Sequence, residues 1–355
     1  MIFEYVPRSL SMDLENLTWI CSRFRVESVL VPANPASRPH PDSIASACLL
    51  SSVMRSRFFG DHGVDDDAVF AGSIEGLGSR FGGGTNAPEA AGAQKQMDST
   101  PSSRLTLSHP PEFIPTIKTS NYTEESLKSA LLSLKYSSLP SVAIITGDEV
   151  QPIDPIKLKM GHLDISPPVV SIPRITTIDA LTLLSDMAKE DDYFSSLKVF
   201  CAIDSLLSRR ALESLRLKLS LGVRNFITQP FYAIGSLEKS QELPCNKEFP
   251  SFKNFLKGVE SYIASLPLGI RFKDINFYCG FLPLFREKSA SHLLSKPLGI
   301  VIPQSYIRAI ESNAIAANKI LFNELKAHKY SLSYLHFEDV KSFLESVLED
   351  RSNDY

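Results

Sequence analysis

The sequence predicts a (β/α)8 TIM barrel with a long low-complexity insertion between strands 2 and 3. Short strand-like apolar runs alternate with longer helical patterns, and eight such runs can be counted. An open doubly wound sheet is the competing arrangement, but it usually carries a GxGxxG turn after its first strand. None follows "MIFEYV", and the glycine cluster "FGGGTN" has no lysine at the spacing a phosphate loop needs.

The strand runs are "MIFEYV" (1–6), "ESVLVP" (27–32), "FIPTIKT" (113–119) and "SVAIIT" (141–146). "KVFCAI" (198–203), "NFITQP" (225–230), "INFYCGFL" (275–282) and "LSYLHF" (332–337) complete the set. Between them, "TEESLKSALLSLKYS" offers Thr123 as N-cap, Glu124 and Glu125 in the first turn, and Leu127, Leu131 and Leu134 on one face. Thr176 and Asp179 stand in capping-box spacing at the head of the next helix. "SRRALESLRLKLSLG" ends on Gly222, where a left-handed residue is expected. Phe252, Phe255, Val259 and Tyr262 should share a helix face, and one long helix is expected over 303–329.

The rhythm breaks between about residues 57 and 112, where Gly, Ser, Ala and Pro dominate. A structureless insertion within a single barrel domain, 1–355, is the simplest expectation; a lid or regulatory segment is the alternative. Hydrophobic residues at 43% and charged ones at 22% exclude a chain disordered throughout. A net charge of -3 leaves no electrostatic footprint for nucleic acid. No apolar run reaches the length of a membrane span, and "MIFEYVPRSL" lacks a basic start before an apolar stretch. A cytoplasmic location is therefore expected. Five scattered cysteines and seven scattered histidines form no CxxC, HxH or HExxH unit, so no local metal site is expected. Packing is the expected role of Cys279.

In such a barrel, chemistry gathers at the C-terminal ends of the strands. The polar residues there are Glu4, Asn34, Lys118, Thr119, Thr146, Asp148, Thr228, Gln229, His336, Glu338 and Asp339. Glu4 is either a surface glutamate or an acid in a partly apolar cavity, with a raised pKa suited to proton donation. Asp148 after Gly147 could simply cap its loop. Gln229 offers a donor and an acceptor, which suits the edge of a heterocycle, while the Thr228–Gln229 pair could equally be internally satisfied.

Taken in order, these residues resemble the methylenetetrahydrofolate reductase family, over nearly the whole chain apart from the insertion. "FEYVP" (3–7) is similar to its first strand, "IITGD" (144–148) to its fourth strand end, and "ITQPFY" (227–232) to its sixth strand. Lys218 lies eleven positions before Gln229 with Gly222 between them, as in the family. "CGFLP" (279–283), "LGIVIPQSYIRAIE" (298–311) and "VPANPASRPHPDSIASA" (31–47) match more loosely.

The resemblance implies reduction of 5,10-methylenetetrahydrofolate to 5-methyltetrahydrofolate by FAD, with NAD(P)H as reductant. It further implies Glu4 as general acid, Asp148 and Gln229 as pterin contacts, and Thr146, Gly147, Asp148 and Lys218 as cofactor contacts. Its partners would be a folate and a nicotinamide, and a homo-oligomer stays open. Departures cluster on the flavin side. "CAIDSLLSR" replaces a Y-P-E-x-H segment, and Ala211, Ser214 and Leu217 replace polar contacts around Lys218. Thr116 stands for a histidine, "VPANP" lacks a threonine and a tyrosine, Ser289 and Leu293 replace a folate-contacting pair, and Glu338 replaces an arginine. A catalytically impaired folate-binding or partner-binding barrel, or a pterin-dependent methyltransferase barrel, is the alternative function.

Overall fold

Eight parallel strands pair in sequence order, and the eighth closes against the first. A computed structural model describes residues 1–7, 10–32, 42–59, 110–147, 175–233, 251–295, 300–334 and 337–352. The strands are β1 (Ile2–Glu4), β2 (Ser28–Val31), β3 (Glu112–Lys118), β4 (Ser141–Ile145), β5 (Lys198–Ile203), β6 (Asn225–Pro230), β7 (Asn276–Phe281) and β8 (Tyr330–Leu332). The intervening helices are α1 (Leu10–Arg23), α2 (Ser43–Phe59), α3 (Glu124–Tyr136), α4 (Thr177–Glu190), α5 (Asp192–Ser196) and α6 (Arg209–Ser220). After β6 come α7 (Phe252–Ser265), α8 (Glu287–Leu294), α9 (Gln304–Leu325) and α10 (Phe337–Ser352).

The chain divides into two units, Met1–Leu50 with Pro111–Tyr355, and Ser51–Pro110. The first holds the barrel. The expected insertion starts later than the composition implied, because α2 runs on to Phe59, and β3 already begins at Glu112. Residues 60–109, on which the expectation of disorder falls, lie outside the described residues.

Alternation along each strand sends every second side chain into the lumen. Ile2, Leu30, Ile114, Ala143, Phe200 and Tyr278 meet there, with Ile227 packed against them. Fully burying a large apolar side chain contributes about 1.5–3 kcal/mol, so this layer is a principal stabiliser of closure. Beneath it the lumen is polar. Lys198 reaches Glu112 at 3.4 Å, and Glu112 also accepts from the Ser141 hydroxyl. Asn276 Nδ2 donates to Asn225 Oδ1 at 2.9 Å, and Lys329 Nζ donates to Asn276 Oδ1 at 2.6 Å.

Helix ends follow the local chemistry. Thr123 with Ser126, and Thr176 with Asp179, form capping boxes at the heads of α3 and α4. Gly222 has φ +89° beyond α6, and Val223 N–H donates to the Lys218 carbonyl at 3.1 Å, closing a Schellman motif. On α7 the buried face is Phe252, Phe255, Val259 and Ile263; Tyr262, expected there, is only half-buried because the stripe steps by four to Ile263.

Two expected elements differ. The eighth strand is Tyr330–Leu332, not 332–337: its ladder to β7 and β1 ends there, and Tyr334 instead stacks on Phe3, with ring centroids 5.7 Å apart. The helix expected over 303–329 ends at Leu325 and breaks at Asn313, whose φ of -157° and ψ of 95° are extended. Its side-chain oxygen accepts from Ala316 N–H at 3.0 Å, so Asn313 acts as an N-cap inside the run.

Past that break, Asn318 is 0% exposed and fully bonded. Its oxygen accepts from Leu284 N–H at 3.2 Å and Tyr306 O–H at 2.7 Å; its amide donates to Leu284 at 2.9 Å and Ala314 at 2.8 Å. Tyr306 packs on Tyr232, whose hydroxyl donates to the Leu282 carbonyl at 2.9 Å. The segments leaving β6 and β7 are thereby tied to α9. Asn318→Ala strands several buried polar groups at once, so a loss of at least about 2 kcal/mol is expected in urea unfolding. An unchanged midpoint and slope would show that this network contributes nothing.

Candidate functional site

The parity that places Ile2 in the lumen also places Glu4 there, one step nearer the C-terminal mouth. By the same rule Lys118 follows Ile114 and Thr116 on β3, Gln229 follows Ile227 on β6, and Ser333 follows Ser331 beyond β8. The structure therefore brings Glu4, Lys118 and Gln229 to one end of one lumen.

Glu4 keeps partial exposure as a residue, while its carboxyl is packed among protein atoms. Burial raises its pKa above the ordinary carboxylate range, and the Ser333 hydroxyl, which donates to Oε2, works in the opposite sense. The carboxyl is thus favoured in its protonated form and has an oxygen left over. Below it, Thr116 and Ser331 have buried hydroxyls with no partner among the described residues. Buried unpaired hydroxyls are unfavourable unless a water or ligand meets them.

The Thr228–Gln229 pair divides its labour. Thr228 points outward: its hydroxyl accepts from Gly280 N–H at 2.9 Å and donates to the Gln229 carbonyl at 2.9 Å. It thereby bridges the register shift between Ile227 and Pro230, where β6 slips against β7. A Cβ at Gly280 would lie 2.4 Å from the Thr228 carbonyl oxygen and 2.9 Å from Gln229 and Pro230 backbone atoms. Only glycine lets the end of β6 fold over β7. Gln229 is half-buried and its amide has no hydrogen-bond partner among the described residues. Phe231 and Tyr232 are buried, Phe231 against Phe252 and Phe255, so they root the following segment in the core.

The remaining candidates are placed elsewhere. Thr146 is exposed and its hydroxyl lies 2.8 Å from that of Thr177. Gly147 has φ +82°, and a Cβ there would lie 2.1 Å from the buried Lys118 stem. Lys218 donates to the Ala202 carbonyl at 2.8 Å; burial holds its ammonium below the usual lysine range, against a smaller opposing effect of Cys201. Thr119 is buried in the turn after β3. Glu338 and Asp339 belong to the first turn of α10, with Asp339 3.6 Å from Arg286, rather than to a strand end. Asn34, Asp148 and His336 lie outside the described residues.

Of the positions expected to hold FAD, the three described ones each make a contact within the fold. The Lys218 ammonium is committed to a backbone carbonyl, the Thr146 hydroxyl to Thr177, and the face of Gly147 is covered by Lys118.

Ser333 was not among the strand-end candidates. The alternation of Ser331 and Ser333 in "YSLSYL" was the available signal, and the misplaced eighth strand hid it. Among the described residues no group of three His, Cys, Asp or Glu side chains could hold a metal, and no helix is long and apolar enough to cross a membrane. Cys279 is buried. The chain matches no protein-family model and no curated protein.

A raised carboxyl pKa means that the folded state binds the proton more tightly than the unfolded chain. Stability is then lost as pH rises from the ordinary carboxylate range through the raised pKa. Glu4→Gln cannot ionise and escapes this loss. The wild-type melting temperature should fall relative to the variant's as pH rises, the two differing least in acid. Curves that stay parallel at every pH would mean a well-solvated carboxyl. At the mouth, Gly280→Ala should destabilise by about 1–3 kcal/mol in urea unfolding, since the close neighbour is backbone.

Proposed function

We propose that the barrel mouth binds the pterin of a reduced folate, and that Glu4 supplies the proton for reduction of 5,10-methylenetetrahydrofolate to 5-methyltetrahydrofolate. The observation that supports this is a lumen-facing carboxyl with a raised pKa, sharing its end of the barrel with the Gln229 amide, which has no partner among the described residues. Gln229 can donate to and accept from a pterin edge. Protonated Glu4 gives its proton to N10, the bond from the bridging carbon to N10 breaks, and the iminium left at N5 accepts a hydride. Such proton transfer typically contributes about 10²–10⁴-fold.

By resemblance, the hydride donor is a reduced flavin replenished by NAD(P)H. The contacts that Thr146, Gly147 and Lys218 already make within the fold support a second reading, in which the same mouth binds folate without redox turnover.

Two measurements separate these readings. 5-Methyltetrahydrofolate should raise the melting temperature of the protein, by an amount equivalent to about 2.7 kcal/mol at a hundredfold excess over Kd. Flavin absorbance in the purified protein, together with reductase activity that falls about 10²-fold or more in Glu4→Gln while the folate shift persists, supports the reductase. A folate shift without flavin binding or turnover supports the non-redox barrel. Absence of a shift with any reduced folate overturns both.

A further inference from the structure

At the opposite end of the barrel, a cavity of about 300 Å3 opens beneath the lumen. Arg23, Arg25, Lys326 and Lys329 line it, and Glu27 is the sole carboxylate among its lining residues. Arg23, on the last turn of α1, is held by the Trp19 carbonyl and the Ser22 hydroxyl, and Lys329 by Asn276. Arg25 and Lys326 are exposed, and their side chains have no ion-pair or hydrogen-bond partner among the described residues. The one carboxylate already faces the Met1 ammonium at 3.8 Å, so the four cationic side chains around the shared concavity repel each other, and an anion relieves that repulsion. Phe24 and Tyr278 add aromatic surface, with Lys329 Nζ 5.8 Å from the Tyr278 ring centroid.

We propose that this cavity binds the phosphate groups of a small phosphorylated molecule. Paired arginine forks suit phosphate oxygens, and lysines complete the charge. The volume lies at the small end of ligand pockets and is about ten times a water molecule's share of liquid, which suits a diphosphate rather than a lone chloride. The site is separate from Glu4 and Gln229 and does not rest on the folate reading: the N-terminal face of a barrel carries no catalytic strand ends.

The probe is inorganic pyrophosphate, titrated calorimetrically into the full chain at low ionic strength. Saturable binding is expected, weakening as salt rises. An Arg25→Gln, Lys326→Gln double variant should weaken it at least tenfold with an unchanged melting temperature in the absence of ligand, both side chains being exposed. Lys253→Gln, on exposed α7 surface and not among the cavity's lining residues, should leave it unaltered. Absence of saturable binding overturns the proposal. So does equal affinity in the double variant, which would place the anion elsewhere, and so does equal weakening by Lys253→Gln, which would mark general charge attraction.

Discussion

A closed parallel barrel assigns alternate residues of all eight strands to a single lumen, and most of what is distinctive here follows from that parity. It places an apolar layer around Phe200 and Tyr278 at mid-height, between the two ends. Polar residues are confined to the rims. At the lower rim they pair with one another, Lys198 with Glu112 and Asn276 with Asn225. At the upper rim, among the described residues, the Glu4 carboxyl is hydrogen-bonded by one hydroxyl and the Gln229 amide by none. The asymmetry is chemical: the lumen side chains of the lower rim bond to one another, leaving spare cations only outside them, whereas at the upper rim the lumen itself retains bonding capacity.

Keeping that capacity requires the backbone around it to be held by something else. Thr228 substitutes its hydroxyl for a missing ladder acceptor, Gly280 makes room for the strand that crosses it, and Asn318 fastens the segment beyond β7. None of these three contacts a substrate in the proposed chemistry. They are positioning residues, and their polar atoms are consumed by the fold so that those of Glu4 and Gln229 are not.

The barrel was legible in the sequence because strand and helix periods alternate without ambiguity, and because Thr123, Thr176 and Gly222 punctuate helices by local chemistry. The eighth strand was misplaced because "LSYLHF" is apolar enough to be a strand, while Tyr334 and Phe337 actually serve aromatic packing against Phe3. The break at Asn313 was invisible because a run of good helix formers surrounds it. At the site, Glu4 and Gln229 could be found from an acid and an amide in apolar runs. Ser333 could not, because its role depends on a neighbour brought in by closure. Lys218 shows the converse: spacing marked it, and only the fold reveals that its ammonium donates to the Ala202 carbonyl.

Glu4 and Ser333 are 329 positions apart. The first strand leaves the ribosome long before the last, so the glutamate spends most of synthesis in a solvent-like setting with the acidity of an ordinary carboxylate. Closure of the barrel buries the carboxyl and raises its proton affinity, while the Ser333 hydroxyl that arrives with the eighth strand works in the opposite sense. A chain halted before its last strand therefore lacks Ser331 and Ser333 alike, and the oldest strand waits for the youngest to supply the hydroxyl that meets its acid.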